Sequence, residues 1–278
     1  MRIVEVPEER RFLLSSTSKG NQIKWFYNNE YLKADSMGYE GLAEAFVSEL
    51  ESRIVNPDFS YVDYQMCIIR EISSDSGDSM DYTGCCSKNM LNDGEFLLSV
   101  YRMLETRYSK NKVNSILNGY GRDIIDFVLG MVEEVTSIKS SVFRTYLAHM
   151  LMLDALVLNE DRHLGNISLI KSVKGEYRLA PIFDNGLSLM SDTLQYRFDK
   201  PYLINIRKVK SRPFSSSFLK QLGYFEGEPL LLIKDANFID DIVASNYDIG
   251  ENEVAFNRAK VVLKNRLNAL KGVAWEDA

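Results

Sequence analysis

The sequence predicts an α+β fold of two lobes, a small β-rich lobe over residues 1–90 and a larger helical lobe over 91–278. Three observations lead there. Short aromatic and β-branched runs, separated by turn residues, dominate the first ninety positions. From Gly94 onward apolar residues recur at helical spacing. Between them in importance stands LNEDRHLGNISLIKSVKGEYRLAPIFDNG, Leu158 to Gly186, where two carboxylates and an amide follow a long apolar segment at fixed offsets.

The totals bound the problem. A chain of 278 residues, 45% hydrophobic and 26% charged, can bury a substantial core as one large domain or two small ones. No apolar run approaches the roughly 18–20 residues of a membrane span. The start, MRIVEVPEERR, lacks the apolar core of a secretory signal, so a cytoplasmic protein is expected, or a secreted effector without a classical signal peptide. Cys67, Cys85 and Cys86 have neither metal-ligand spacing nor an even count, which fits free thiols. A net charge of −6 and a pI near 5.2 oppose a protein that grips nucleic acid. Lys200 to Arg212 is the local exception, with five positive charges and no acid. It reads either as a solvated face or as a docking surface for an acidic or phosphorylated segment.

Along the chain, Arg11–Leu14 reads as a short strand within an otherwise mixed start. Ser15, Ser16, Thr17, Ser18, Lys19 and Gly20 form a polar turn whose backbone N–H groups could cover phosphates, with Ser16, Ser18 and Gly20 as candidate nucleotide contacts. Asn28-Asn29 between two aromatic runs predicts a hairpin with Lys33 on its second strand. Leu42, Phe46, Leu50 and Ile54 repeat every four residues and predict a helix over Glu40–Ile54. That helix offers Glu40, Glu44 and Glu49 as partners for Lys33, and its geometry does not choose among them. Tyr61–Glu71 and about Asp81–Cys86 read as strands, and ISSDSGDSM as their connector.

In the larger lobe, Phe96, Leu97, Val100, Met103 and Leu104 predict one helix, and Ile124, Phe127, Val128 and Met131 a second. Ser141–Val157 predicts a third, nearly all apolar and therefore buried, with His149 as a hydrogen-bonded core residue. Leu187–Asp199 carries Ser188, Ser191, Thr193 and Tyr196 and is the candidate activation segment. Pro213-Phe214-Ser215 opens a turn into another helix, and Glu251–Leu270 suits a terminal amphipathic helix.

The chemistry lies in the spacing. Asp161 and Asn166 stand five apart, and Asp184 follows in Asp-Asn-Gly. Phosphoryl transfer to a hydroxyl needs a carboxylate near the attacking oxygen and hard oxygen donors for a metal against the phosphates. A protein-kinase catalytic loop meets this with Asp, four residues, Asn, and a later metal-binding Asp in D-F-G. The pattern therefore predicts a kinase using ATP and Mg²⁺, with Asp161 as catalytic base, Asn166 and Asp184 on the metal, and Lys33 on the phosphates.

The order N-E-D-R-H-L-G-N, with His163 two residues after Asp161, resembles the HipA-like serine/threonine kinases. YLKAD, the helix YEGLAEAFVSEL, GCCSKNML, DGEFLLSVYRML and PIFDNGLSL are similar to the small stand-alone CtkA-type members of that family. The likeness runs from about residue 15 to about residue 225. It implies a two-lobed protein-kinase-like fold, Glu44 as the partner of Lys33, and a hinge over Cys85–Asn89 with Ser87 near the adenine. His163 would shape the nucleotide site. It also implies a protein substrate with a Ser/Thr acceptor, autophosphorylation in the Ser15–Ser18 loop, and an antitoxin or other regulatory partner. A small-molecule or lipid-headgroup kinase, a nucleotide-binding pseudokinase and a nucleic-acid regulator are the rival readings.

Overall fold

The computed structural model describes residues 1–13, 22–55, 59–242 and 253–278. The candidate phosphate loop of Ser15–Gly20 lies outside the described residues. A six-stranded sheet comes first in the chain. Its strands are β1 (Arg2–Pro7), β2 (Arg11–Leu13), β3 (Ile23–Tyr27), β4 (Glu30–Ala34), β5 (Tyr64–Ile72) and β6 (Ser79–Lys88), in the order β1-β5-β6-β4-β3-β2. The β3–β4 hairpin turns on Asn28 and Asn29, both left-handed at φ 50° and 61°. Asn tolerates that region better than other residues with a Cβ, and such a turn matches the strand twist. It pairs Lys24 with Lys33.

The helix α1 (Glu40–Glu51) lies against β5 and β6, with Leu42, Ala43, Phe46, Val47 and Leu50 buried. It ends three residues before Ile54, which instead bridges to Ile233. The entry to α1 is built from acids. Glu40 accepts from the backbone N–H of Met37 at 2.7 Å and of Gly38 at 3.0 Å, and Asp35 from Gly41 at 2.6 Å. Close approach of α1 to the sheet requires small residues: a Cβ on Gly41 of α1 would fall 2.6 Å from the Gly84 carbonyl carbon in β6.

Three expectations are corrected here. Arg2–Pro7 is a full strand, parallel to β5, with Val4 and Val6 turned inward. Cys85–Lys88 belongs to β6 and is paired to β4, with Cys85–Ser87 also paired to β5, so of the expected hinge Cys85–Asn89 only Asn89 lies outside the strand. Phe96 and Leu97 are not helical. They lie in β7 (Glu95–Ser99), which pairs antiparallel with β8 (Ser168–Ser172), and Ser99 then caps α2 (Val100–Arg107) through a hydrogen bond from Arg102 N–H.

The helical part continues with α3 (Lys110–Leu117), α4 (Arg122–Thr136) and α5 (Ser140–Val157). α5 is buried along nearly its whole length and packs against α4, α7 (Phe218–Leu222) and α9 (Glu253–Leu270). β9 (Tyr177–Leu179) completes a three-stranded sheet with β7 and β8. α6 (Tyr202–Ile206), α8 (Phe238–Asp241) and the parallel pair β10 (Leu231–Ile233) and β11 (Trp275–Asp277) complete the described elements. His149 on α5 is buried, with Nε2 2.9 Å from the Pro229 carbonyl, and is a core residue. The core is one large apolar cluster from Tyr39 to Trp275, a smaller one inside the first sheet around Trp25, Leu32 and Ile69, and a third of Val62, Tyr64 and Cys85. Among the described residues no helix is long and apolar enough to cross a membrane.

Candidate active site

α5 ends at Leu158, whose left-handed conformation (φ 57°) reverses the chain. The loop that follows is held from beneath by Arg162, which is fully buried. Arg162 Nε donates to Asp154 on α5 at 3.0 Å, Nη1 to the Phe183 carbonyl at 2.7 Å, and Nη2 to Asn185 Oδ1 at 2.6 Å. One guanidinium thus joins the helix, the Asp161–Asn166 loop and the Asp184 loop. Its planar fork of donors is what this junction needs, and lysine could not serve it. Burial pushes the Asp154 carboxyl up and Arg162 opposes that push. This is the structural ion pair of the site.

Above the junction, the side-chain amide of Asn166 donates to the Asp161 carbonyl at 3.1 Å, which turns its oxygen the other way. The Asp161 carboxylate lies 3.7 Å from Arg212 Nη1 and 3.8 Å from His163 Nε2. Asp184 takes a left-handed conformation (φ 62°) and receives Lys33 Nζ at 2.7 Å. Lys33 also donates to Glu44 at 2.9 Å and to Tyr64 Oη at 3.3 Å. Glu44 in turn accepts from Asn185 N–H at 3.0 Å. Of the three glutamates open at the sequence level, Glu44 is the one that meets Lys33. Glu40 serves the α1 entry, and Glu49 faces Arg53 at the surface at 3.9 Å.

The electrostatics follow from the burial. Desolvation works against the charge on Lys33, but Asp184 and Glu44 outweigh it and hold its pKa well above the ordinary lysine value. Burial likewise opposes the charge on Asp184, and Lys33 with Lys24 overcomes it, so this carboxylate stays ionised. Lys24, opposite Lys33 in the hairpin, has its pKa lowered by burial. Two lysines side by side would repel. The carboxylates of Glu44 and Asp184 beside them offset that repulsion.

Asp161, Asn166, Asp184, Lys24, Lys33 and Glu44 line one polar pocket of about 50 Å³. It opens beside a cavity of about 820 Å³ that shares Lys24, Lys33, Asn166 and Asp184 and is walled by apolar side chains including Leu32, Tyr64 and Phe183. Ser87 and His163 line this larger cavity, as does Met90 beyond β6. Its size is that of a small-ligand site. The donors fit magnesium: Asp184 supplies a carboxylate and Asn166 an amide oxygen, both hard ligands. Among the described residues no group of three or more His, Cys, Asp or Glu is placed to hold a metal ion. The sequence reading missed Asp154, Tyr64, Lys24 and Arg212. Of these only Lys24 had a signal, since counting outward from Asn28-Asn29 places it opposite Lys33.

The chain has a two-lobed, kinase-like α+β fold. It is similar to the Helicobacter pylori proinflammatory kinase CtkA, with a TM-score of 0.60 and 17% identity over 98% of this chain and 96% of that one. HipA of Shewanella oneidensis MR-1, solved with HipB and operator DNA, matches at a TM-score of 0.48 and 12% identity. It covers 91% of this chain, which spans only 65% of that one, too slight a likeness to carry an argument. No protein-family model matches the chain, and no curated protein does.

Proposed function

We propose that this chain is an ATP-dependent serine/threonine protein kinase. The observation that carries the reading is the Lys33 ammonium held between Glu44 at 2.9 Å and Asp184 at 2.7 Å, over a pocket that Asp161 and Asn166 also line. Lys33, preorganised by Glu44, would bind ATP phosphate oxygens, and the neighbouring Lys24 would offer a second ammonium. The apolar walls of the larger cavity would take the base, with Ser87 and His163 along its edge. Asn166 and Asp184 would hold Mg²⁺, which supplies charge neutralisation on the phosphates when bound.

Asp161 would orient the acceptor hydroxyl toward the γ-phosphorus. As the new O–P bond forms and the bond to the β-phosphate oxygen breaks, the hydroxyl proton passes to the Asp161 carboxylate and ADP leaves. A carboxylate is a weak base, but positioning and electrostatic stabilisation provide most of the acceleration in this reaction class. Arg162 takes no part in this chemistry. It fixes the two loops that carry Asp161 and Asp184.

A protein acceptor and self-modification at Ser15, Ser16, Thr17 or Ser18 belong to the same proposal. Phosphate there would add about −1.5 to −2 charge near the nucleotide phosphates and inhibit by repulsion. Incubation with γ-labelled ATP and Mg²⁺, with and without a generic protein acceptor, tests the proposal when followed by phosphoamino-acid analysis and phosphosite mapping. Phosphoserine or phosphothreonine on either protein supports it. Label found only on small molecules, or nowhere, refutes it.

A further inference from the structure

The segment that follows α6 meets the site only at its last cation, Arg212. Val209 and Ser211 are buried, while Arg207, Lys208, Lys210 and Arg212 are exposed. In an extended stretch successive side chains face opposite ways. Here the alternation turns the small and apolar residues inward and puts Lys210 and Arg212 outside. Among the described residues no carboxylate forms an ion pair with Arg207, Lys208 or Lys210, and Arg212 is directed to Asp161 at 3.7 Å.

The strip is held in place rather than left as a loose solvated run. The buried Gln221 accepts from the backbone N–H of Phe214 at 2.9 Å and of Ser215 at 3.2 Å, and donates to the Arg212 carbonyl at 2.9 Å. Ser211 Oγ donates to the Ser215 carbonyl at 2.6 Å. At the other end, buried Asn205 donates to the Arg197 carbonyl at 3.0 Å and ties α6 to the chain that follows Asp184. α6 leaves Leu203 and Ile204 66% and 48% exposed beside the cations. Lys210 also lines, with Arg266, Ser216 and Ser217, a surface pocket of about 240 Å³ whose lining includes no acid.

We propose that this strip docks an acidic segment of the protein substrate next to its acceptor Ser or Thr. The inference rests on the kinase reading and adds the substrate class. The strip ends at Arg212, 3.7 Å from the Asp161 carboxylate where the acceptor hydroxyl would lie, and the flanking acids would neutralise its cations as the hydroxyl arrives. Leu203 and Ile204 give the same segment an apolar contact. A nucleic acid fits less well, because the rest of a chain with net charge −6 would repel a long polyanion.

The test uses three peptides with one acceptor serine and acidic, neutral or basic flanks, on wild type and on the triple variant Arg207→Glu/Lys208→Glu/Lys210→Glu. Peptide binding is followed by fluorescence anisotropy and phosphate transfer separately. For wild type the acidic peptide should bind about tenfold more tightly than the neutral one, with the advantage lost at high salt. The triple variant should reverse the order while phosphorylating the neutral peptide within about twofold of wild type. Equal binding of all three peptides, or an unchanged preference in the variant, overturns docking even if transfer is normal. Strip-dependent binding of the acidic peptide without any transfer would uphold the surface and sink the kinase reading instead. Tighter binding of an oligonucleotide of equal charge than of the acidic peptide would also overturn the proposal.

Discussion

Replacing Arg162 by Met keeps most of the side-chain volume and removes the guanidinium on which two loops and a helix converge. The variant loses the bonds to Asp154, Phe183 O and Asn185, and a weaker one to Asn166 O at 3.3 Å. Asp154 keeps only the hydrogen bond from Asn159 Nδ2 at 3.0 Å and becomes a buried charge without a counter-ion. Breaking a buried pair from one side costs about 3–5 kcal/mol, a large share of the roughly 5–15 kcal/mol that holds a domain folded. Burial already holds the Asp154 pKa above its ordinary value, and removing Arg162 raises it further. The sign follows from linkage. A carboxyl whose folded pKa is raised stabilises the fold below its unfolded pKa and loses that contribution as pH rises through the folded one. The deficit of Arg162→Met should therefore be largest at neutral pH and shrink toward pH 4. Urea unfolding at several pH values measures it, and the double variant Arg162→Met/Asp154→Leu should recover most of the loss. A deficit under about 1 kcal/mol at pH 7, or one that grows on acidification, would refute the assignment of Arg162 as the anchor of the site.

Two further outcomes follow from the same geometry. Glu44→Gln removes one of the two carboxylate charges on Lys33 and leaves Asp184 as its counter-ion, so transfer should fall by about one to two orders of magnitude with little change in unfolding midpoint; unchanged kinetics would exclude the Glu44 charge from positioning Lys33. Burial raises Asp35 from 3.8 to about 6 where it accepts the Gly41 N–H, so its contribution is full below pH 3.8 and fades as pH rises through about 6. That corresponds to about 3 kcal/mol, and Asp35→Asn should flatten this part of the stability profile; the same slope in both proteins would contradict it.

Much of the fold was readable because its signals are local. Asn28-Asn29 announces a hairpin through residues that accept positive φ, and α5 announces itself through an apolar run too long for a strand. β7 was read as helix because Phe96 and Leu97 adjoin Val100, Met103 and Leu104 in a plausible helical spacing. What makes them a strand is pairing with β8, far along the chain, and Phe96 stays 60% exposed. β1 was missed for a similar reason, since its partner β5 lies beyond a hairpin and a helix. At the site, the offsets of Asp161, Asn166 and Asp184 were legible because one loop and one turn carry them. The Arg162–Asp154 pair spans the end of α5 at a separation no helix rule anticipates. Arg212 reaches Asp161 from a segment whose path only the tertiary structure fixes.

The central claim is that binding and transfer occur at one site with divided roles. Titration of ATP by calorimetry, with and without Mg²⁺, beside single-turnover transfer in wild type, Asp161→Asn and Asp184→Asn, tests it most directly. Asp161→Asn should bind ATP with Mg²⁺ like wild type yet transfer about 10²–10⁴-fold more slowly, while Asp184→Asn should lose the Mg²⁺ enhancement of binding. Wild-type transfer rates in Asp161→Asn, or an intact Mg²⁺ enhancement in Asp184→Asn, would contradict the account.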